Sequence, residues 1–546
     1  MQGTMMNFPL TLAHVLERAG RLFGNSEIVS RLPDRSLHRQ SYGDFYRRAC
    51  ALGAALQKLG LKKGDRVATL MWNHYAHLEA YFGIPCAGGV LHTLNLRLHP
   101  DDIAYIANHA EDRFLIVDDV LLPLLDKCHA QVKFERVVVV PLSGKPVPTA
   151  YDDYEKLIAD APRFEMPQLD ENDAAGMCYT SGTTGKPKGV VYTHRSIVLH
   201  ALATSTVDVL GLSNRDSLCP IVPMFHVNAW GLPFSAVMVG AKIAFPGPHL
   251  DAANLLDLYQ AEKVSMSAGV PTIWMGMLQA LQKEPQRWKL ASGLRMVCGG
   301  AAAPESMIRA FDAFGLRVIH GWGMTETSPL GAVNYIKREL DGLTTDEQYA
   351  VRAKQGVPPP FVELRTMAEN GEAPWDGKAM GELQIRGPWV AASYHQLPSE
   401  ADKWTADGWF CTGDIAIIDA HGYMKIADRV KDLVKSGGEW ISSVDLENAL
   451  VAHSAVLEAA VIGVPHPKWD ERPLAVVVLK PGQSVSADAL REHLAPQFAK
   501  FWLPDAVMFV DAIPKTSTGK MLKAALREQY KAQFSGTNAS VDLENR

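Results

Sequence analysis

Two kinds of apolar pattern alternate along the chain. Short β-branched runs such as Val137–Val140, four valines in succession, predict buried strands. Elsewhere apolar residues recur at helical spacing. Met307, Phe311 and Phe314 do so along Pro304–Phe314, and Pro304 suits the first turn of the helix they predict. Such a mixture implies α/β architecture. Near the C-terminus Ala459–Val464, Leu474–Lys480 and Ala506–Asp511 predict strands, and Ser486 caps a predicted helix with Leu490 and Leu494 on one face. This group predicts a small, separate α/β domain. Ahead of it lies DRVKDLVKSGGEW (Asp428–Trp440), charged and then glycine-rich, which suits a linker or hinge and equally an ordinary surface turn.

Composition narrows the class. A length of 546 residues predicts two to four domains, and 47% hydrophobic against 21% charged residues predicts a folded globular chain. With 54 basic and 60 acidic residues the net charge is −6, which argues against nucleic acid as a partner. The seven cysteines are odd in number and none form a CxxC pair, so neither a disulfide framework nor a zinc ribbon is expected and a reducing compartment fits. No apolar run approaches a membrane span, and the N-terminus lacks the basic and apolar regions of a signal peptide. The expectation is a cytoplasmic protein.

The most informative segment is YTSGTTGKPKGV (Tyr179–Val190). It packs three Gly, three Thr, one Ser and two Lys into twelve residues. Gly182, Gly185 and Gly189 let the backbone approach a ligand closely, and converging N–H groups of such a loop suit an anion. Thr180, Ser181, Thr183 and Thr184 add hydroxyls, while Lys186 and Lys188 add positive charge. Together they suit a polyphosphate. The string does not match GxxxxGK[ST], and Ala174–Tyr179 and Val190–Thr193 both predict strands, so the loop joins a hairpin rather than opening a helix.

This string resembles the phosphate-binding signature of the adenylate-forming superfamily, which contains acyl-CoA synthetases, peptide-synthetase adenylation domains and beetle luciferases. Further motifs follow in that family's order over nearly the whole chain. SGGEWISSVDLENAL (Ser436–Leu450) is especially like bacterial medium- and long-chain fatty acyl-CoA synthetases. The resemblance implies a large N-terminal domain over 1–430 that binds AMP and the acyl group. It also implies a mobile C-terminal domain over 431–546, with a hinge near Lys431. The implied reaction has two steps. Acid and ATP give acyl-AMP and pyrophosphate, then CoA displaces AMP, with Mg²⁺ on the phosphates.

Site residues follow from the same resemblance. In GWGMTET (Gly321–Thr327), the stretch Gly321, Trp322, Gly323 and Met324 lies against the nucleotide, with Trp322 stacking on adenine where many members have Tyr. Thr325 meets the α-phosphate, and Glu326 ligates Mg²⁺ together with Thr180. Gly182, Gly185 and Lys188 of the loop join Ser181, Thr183 and Thr184 on the phosphates. Gly300 and Ala301 resemble the segment lining the adenine pocket. Asp414 in DGWFCTGD and Arg429 in ADRVKD match the ribose contacts, while Glu382 in GELQIRG is read as structural. PMFHVNAWG resembles the segment beside the acyl site, where His226 would contact the carboxylate or the acyl phosphate, and Trp230 matches an aromatic gate over an acyl tunnel. That segment lacks the Asp with which amino-acid-activating relatives pair a substrate ammonium. Lys520 in PKTSTGKM matches the lysine that enters for adenylation; Gly437, Gly438 and Trp440 lie on the face that would line a pantetheine tunnel.

The expected activity is therefore an acid–CoA ligase for a medium- or long-chain fatty acid. The alternatives are a short, sulfur-containing or aromatic acid, or loading of a separate carrier protein. The chain ends 26 residues after Lys520, too few for a fused carrier domain. A homodimer is the expected assembly, and contact with membrane to collect fatty acids would be peripheral.

Overall fold

The computed structural model describes residues 1–180, 186–436, 439–516 and 520–534. The described strands form four sheets. Two are wide and mostly parallel. One runs through Arg317–Gly323, Arg295–Cys298, Met266–Gly269, Ser217–Pro220, Lys242–Phe245 and Glu27–Arg31 in parallel, with antiparallel strands Leu330–Val333 and Leu37–Ser41 at its two edges. The other runs from Asp152–Asp153 through Arg136–Val140, Asp112–Asp118, Arg66–Leu70 and Val90–Thr93 to Ala174–Tyr179, and ends on the antiparallel strand Gly189–Thr193. Parallel strands buried on both faces read as unbroken apolar runs, which is why the Val137–Val140 stretch carries no alternation.

One large core joins the two sheets. The helices Leu12–Leu22, Tyr42–Lys58, Tyr75–Cys86 and Leu232–Val239 pack between them, with Tyr42, Phe45, Tyr81, Phe82 and Phe234 in mutual ring contact. An antiparallel sheet follows, ending in Gly381–Arg386, Phe410–Ile418 and Met424–Arg429. The last sheet pairs Val456–His466 with Asp470–Leu479, on which Ala506–Phe509 lies parallel. The helix Ala487–Leu494 starts at Ser486, whose hydroxyl accepts the Ala489 N–H at 3.1 Å, and it buries Leu490 and Leu494. The result is a large N-terminal α/β assembly and a small C-terminal α/β domain, as expected.

Some boundaries differ from expectation: the strands expected over Ala459–Val464, Leu474–Lys480 and Ala506–Asp511 span Val456–His466, Asp470–Leu479 and Ala506–Phe509. The helix expected from Pro304 to Phe314 spans Glu305–Asp312, with Pro304 as its extended N-cap. Phe314 lies beyond the helix end, where its N–H bonds the Phe311 carbonyl in a closing turn.

Candidate active site

The phosphate-loop hairpin lies on the edge of the second wide sheet. Tyr179 pairs with Gly189 across it, and one residue further on Thr180 and Lys188 exchange bonds. The Thr180 N–H meets the Lys188 carbonyl at 2.9 Å, and the Thr180 Oγ1 accepts the Lys188 N–H at 3.0 Å. The loop is thus pinched at its base. Ser181, Gly182, Thr183, Thr184 and Gly185 lie outside the described residues, as do Gly437 and Gly438.

From this hairpin opens a cavity of about 340 Å³. Its walls bring together Thr180, Lys188, His226, Trp230, Gly300, Gly321–Glu326, Asp414, Arg429 and Lys520. Two expected residues are elsewhere. Ala301 is exposed and outside the lining, because the chain turns away after Gly300, whose φ is +81°. Trp440 is exposed on the strand Glu439–Ile441 and does not face the cavity. Glu382, read as structural, does lie in the wall, and its Oε1 accepts the Gly413 N–H at 3.2 Å.

Arg317–Gly323 delivers its C-terminal residues to the cavity, and a short 3₁₀ turn places Thr325 and Glu326. Glu326 is buried, and burial pushes its carboxyl up. The Tyr394 hydroxyl donates to Glu326 Oε1 at 2.5 Å, and the charges of Lys520 and Lys188 also oppose that rise. Lys188 is itself ion-paired with Glu400 and lies 5.0 Å from the centre of the Tyr394 ring. Trp322 packs against Gly331, where a Cβ would come within 2.4 Å of the indole. Its Nε1–H donates to Asp414 Oδ2 at 2.9 Å, and Asp414 faces Arg429 across paired strands, Oδ1 to Nε at 3.5 Å.

Lys520 reaches in from the small domain. Its Cε lies 3.7 Å from where a Cβ on Gly300 would be. Burial lowers its ammonium to about 8, with Arg429 pushing the same way and Asp414 and Glu326 opposing. Burial, together with Lys520 and Arg97, lowers His226 to about 3, so this imidazole is neutral at pH 7.

The segment carrying His226 and Trp230 has an unusual backbone. Val227, Asn228, Ala229, Trp230 and Gly231 all have positive φ, from +39° to +71°. Four consecutive non-glycine residues in left-handed conformation cost about 1–2 kcal/mol each. Buried bonds hold the segment. Asn73 donates from Nδ2 to the Pro220 and Val222 carbonyls at 2.9 Å each and accepts the Met224 N–H at 2.8 Å. Cys178 Sγ donates to Asn228 Oδ1 at 3.2 Å. Stored backbone strain of this kind clusters at functional sites. It turns Trp230 so that its ring edge meets Gly299, where a Cβ would lie 3.1 Å away. Leu210, Leu232 and Val297 form an apolar wall at this end. At Gly231 a Cβ would meet the His200 ring at 2.7 Å with φ at +71°. Gly231→Ala is expected to cost about 1–3 kcal/mol, seen as a lower urea midpoint at unchanged m-value.

Several of these residues carry no sequence signal. Tyr394 and Glu400 sit in no recognisable motif, and the apolar wall comes from three separate elements.

Known proteins resemble the chain over most of its length. The "AMP-binding enzyme" model matches residues 16–395, and the "AMP-binding enzyme C-terminal domain" model matches 445–520. The chain is 50% identical to the long-chain-fatty-acid–CoA ligase of Thermus thermophilus, over 98% of each chain. It is 46% identical to the 3-methylmercaptopropionyl-CoA ligase of Ruegeria lacuscaerulensis, over 98% of this chain and all of the relative. It is 44% identical to the medium-chain-fatty-acid–CoA ligase of Ectopseudomonas oleovorans, over 97% and 98%. The crystal structure of an anthranilate CoA ligase in complex with anthranoyl-AMP superposes with a TM-score of 0.87 at 28% identity, covering 98% of this chain and 100% of that one. By sequence over most of its length and by fold, the chain belongs to the AMP-binding, adenylate-forming enzyme family.

Proposed function

We propose that this protein is an ATP-dependent acid–CoA ligase acting on medium- or long-chain fatty acids. The observation that carries the reading is a single cavity with an apolar wall of Trp230, Leu210 and Leu232 and a charged wall of Asp414, Arg429 and Lys520. Such a space accepts an aliphatic acid and a nucleotide together. In the first step a carboxylate oxygen of the acid bonds to the α-phosphorus of ATP as the bond to pyrophosphate breaks. In the second, the CoA sulfur bonds to the acyl carbon, AMP leaves and the thiol proton is released.

Lys520 offsets the charge gathering on the leaving pyrophosphate, in a site dry enough to depress its own ammonium. Neutral His226 offers a hydrogen bond to the acyl carboxylate rather than a charge. Asp414 and Arg429 take the ribose, and Trp322 takes the adenine. Thr325 and the phosphate loop hold the phosphates. Among the described residues no group of three or more His, Cys, Asp or Glu side chains is placed to hold a metal. A buried single carboxylate fits Mg²⁺ held mainly by substrate phosphates, so Glu326, with Thr180 in the same cavity lining, would be the protein's share of that site. When bound, the metal neutralises phosphate charge.

The small domain is read as mobile about Lys431, bringing the face of Trp440 to the cavity for the second step. Among the described residues no helix is long and apolar enough to cross a membrane, so membrane contact in this reading is peripheral. All seven cysteines are thiols, which fits the cytoplasm. Exposed Met5, Met6 and Phe8 offer apolar surface for a homodimer.

The test is AMP release with ATP and Mg²⁺, with and without CoA, across straight-chain acids from short to long and a few aromatic acids. The expected result is CoA-dependent AMP with an optimum at medium or long chain. An optimum among aromatic or short acids would overturn the substrate class. Pyrophosphate exchange into ATP without any CoA-dependent AMP would overturn CoA as the acceptor and point to a separate carrier protein.

A further inference from the structure

Asp414 is a buried carboxylate with more than one neighbour competing for its position. Arg429 approaches Oδ1 obliquely, at 3.5 Å from Nε, and is half exposed. The Trp322 Nε1–H bond to Oδ2, at 2.9 Å, is the shorter and better directed of the two. The indole is closely seated on one side. Its six-membered ring lies on Gly331, where even a methyl group would collide, and Ile385 closes the same seat. Asp414 is further fixed from its own backbone, whose N–H donates to Thr412 Oγ1 at 3.1 Å while that hydroxyl donates to the Leu383 carbonyl at 2.8 Å. The carboxylate thus has Oδ2 committed to a seated donor and Oδ1 only loosely held by Arg429, and the residue lines the cavity.

A ring that served only as a platform for a base would not need its N–H satisfied by this particular carboxylate. We propose that Trp322 is a positioning residue for nucleotide sugar selection: its indole N–H orients Asp414 toward the two hydroxyls of a ribose, so that ribonucleotides are preferred over deoxyribonucleotides. This rests on the reading of Asp414 as the ribose acceptor in an ATP-using enzyme. A vicinal diol presents two O–H donors to one carboxylate, and a carboxylate swung off axis serves one of them at most.

The test compares kcat/KM for ATP, 2′-deoxyATP and 3′-deoxyATP in pyrophosphate release. The wild-type enzyme, Trp322→Phe and Trp322→Tyr are measured side by side. Phe keeps an aromatic face and removes the donor. Tyr places its hydroxyl on the ring axis, away from the indole nitrogen's position, and serves as the second variant if Phe does not fold. The expected result is that the ATP-to-deoxyATP preference falls by about tenfold or more in both, the size of losing one hydrogen bond to a charged group. In an Asp414→Asn background the same Trp322 substitutions leave the ratio unchanged. If Trp322→Phe and Trp322→Tyr raise KM equally for all three nucleotides at constant preference, Trp322 is a platform only and the inference falls while the ribose role of Asp414 stands. If the wild-type enzyme itself does not discriminate, the ribose reading of Asp414 falls with it.

Discussion

Lys520→Ala is expected to slow acyl-adenylate formation on the order of 10²–10³-fold, the usual loss when one preorganised charge stabiliser is removed. Thioester formation from preformed acyl-AMP should change little, because the small domain is then read as having rotated and carried residue 520 away. The physical case rests on where the ammonium sits. It is half-buried in the cavity wall with Asp414 and Glu326 near enough to favour its charge, yet desolvation and Arg429 together pull it down to about 8. A cation so poorly solvated has little water to shed when negative charge develops beside it. The sign of the pH dependence follows. Below about pH 8 the ammonium is charged and adenylation proceeds; as pH rises through its pKa the charge, and the rate, are lost. Bound polyphosphate raises that pKa, so the basic limb lies at or above 8 in single-turnover pyrophosphate release. Lys520→Arg keeps its charge throughout and should flatten the limb at a lower plateau. A Lys520→Ala enzyme slowed equally in both half-reactions would sink the assigned role.

How much of this site can be read from the chain depends on how local each cause is. The hairpin around the glycine-rich string is visible because short, mostly apolar runs, Ala174–Tyr179 and Val190–Thr193, flank it. GWGMTET is visible as a motif at the end of a strand. The Trp322–Asp414 bond is not visible, since 92 residues separate the partners and nothing in either segment names the other. Tyr394 and Glu326 are joined over 68 residues and stay hidden for the same reason. The left-handed run from Val227 to Trp230 is hidden differently. Val, Ala and Trp all prefer negative φ, so local preference points away from the observed backbone, and a partner distant in sequence, Cys178 bonded to Asn228, helps to hold it. Fold class needs only periodicity, and periodicity is local. The Pro304 helix was overextended because Phe314 continues the apolar spacing after the backbone has already turned.

Lys431→Pro is expected to lower overall turnover on the order of 10²-fold, the cost of misplacing a catalytic group by about an ångström. Val430 and Lys431 form the middle of a turn in which the Asp432 and Leu433 N–H groups both bond the Arg429 carbonyl at 2.9 Å. On one side of it the strand Met424–Arg429 holds the helix Ser443–Ala452: Ser442 donates to the Ala427 carbonyl at 2.5 Å, Asp428 Oδ2 accepts the Ser443 N–H at 2.8 Å, and Lys425 pairs with Asp445 at 2.7 Å. The proposed rotation of the small domain about Lys431 would break these bonds and replace them, with the swing absorbed by the φ and ψ angles of the turn. Proline fixes its own φ near −65° and pushes Val430 toward extended backbone. One arrangement of the small domain can accommodate that, but not two. The two half-reactions, measured separately as pyrophosphate release and as acyl-CoA formed from added acyl-AMP, should therefore change relative to each other by about tenfold or more. Lys431→Ala, which removes the side chain from the cavity wall and leaves the backbone free, should hold that ratio within a few-fold. Equal retention of both half-reactions in Lys431→Pro would place the pivot elsewhere, and a Lys431→Ala enzyme as impaired as the proline variant would mean that the ammonium, rather than the backbone, is what position 431 contributes.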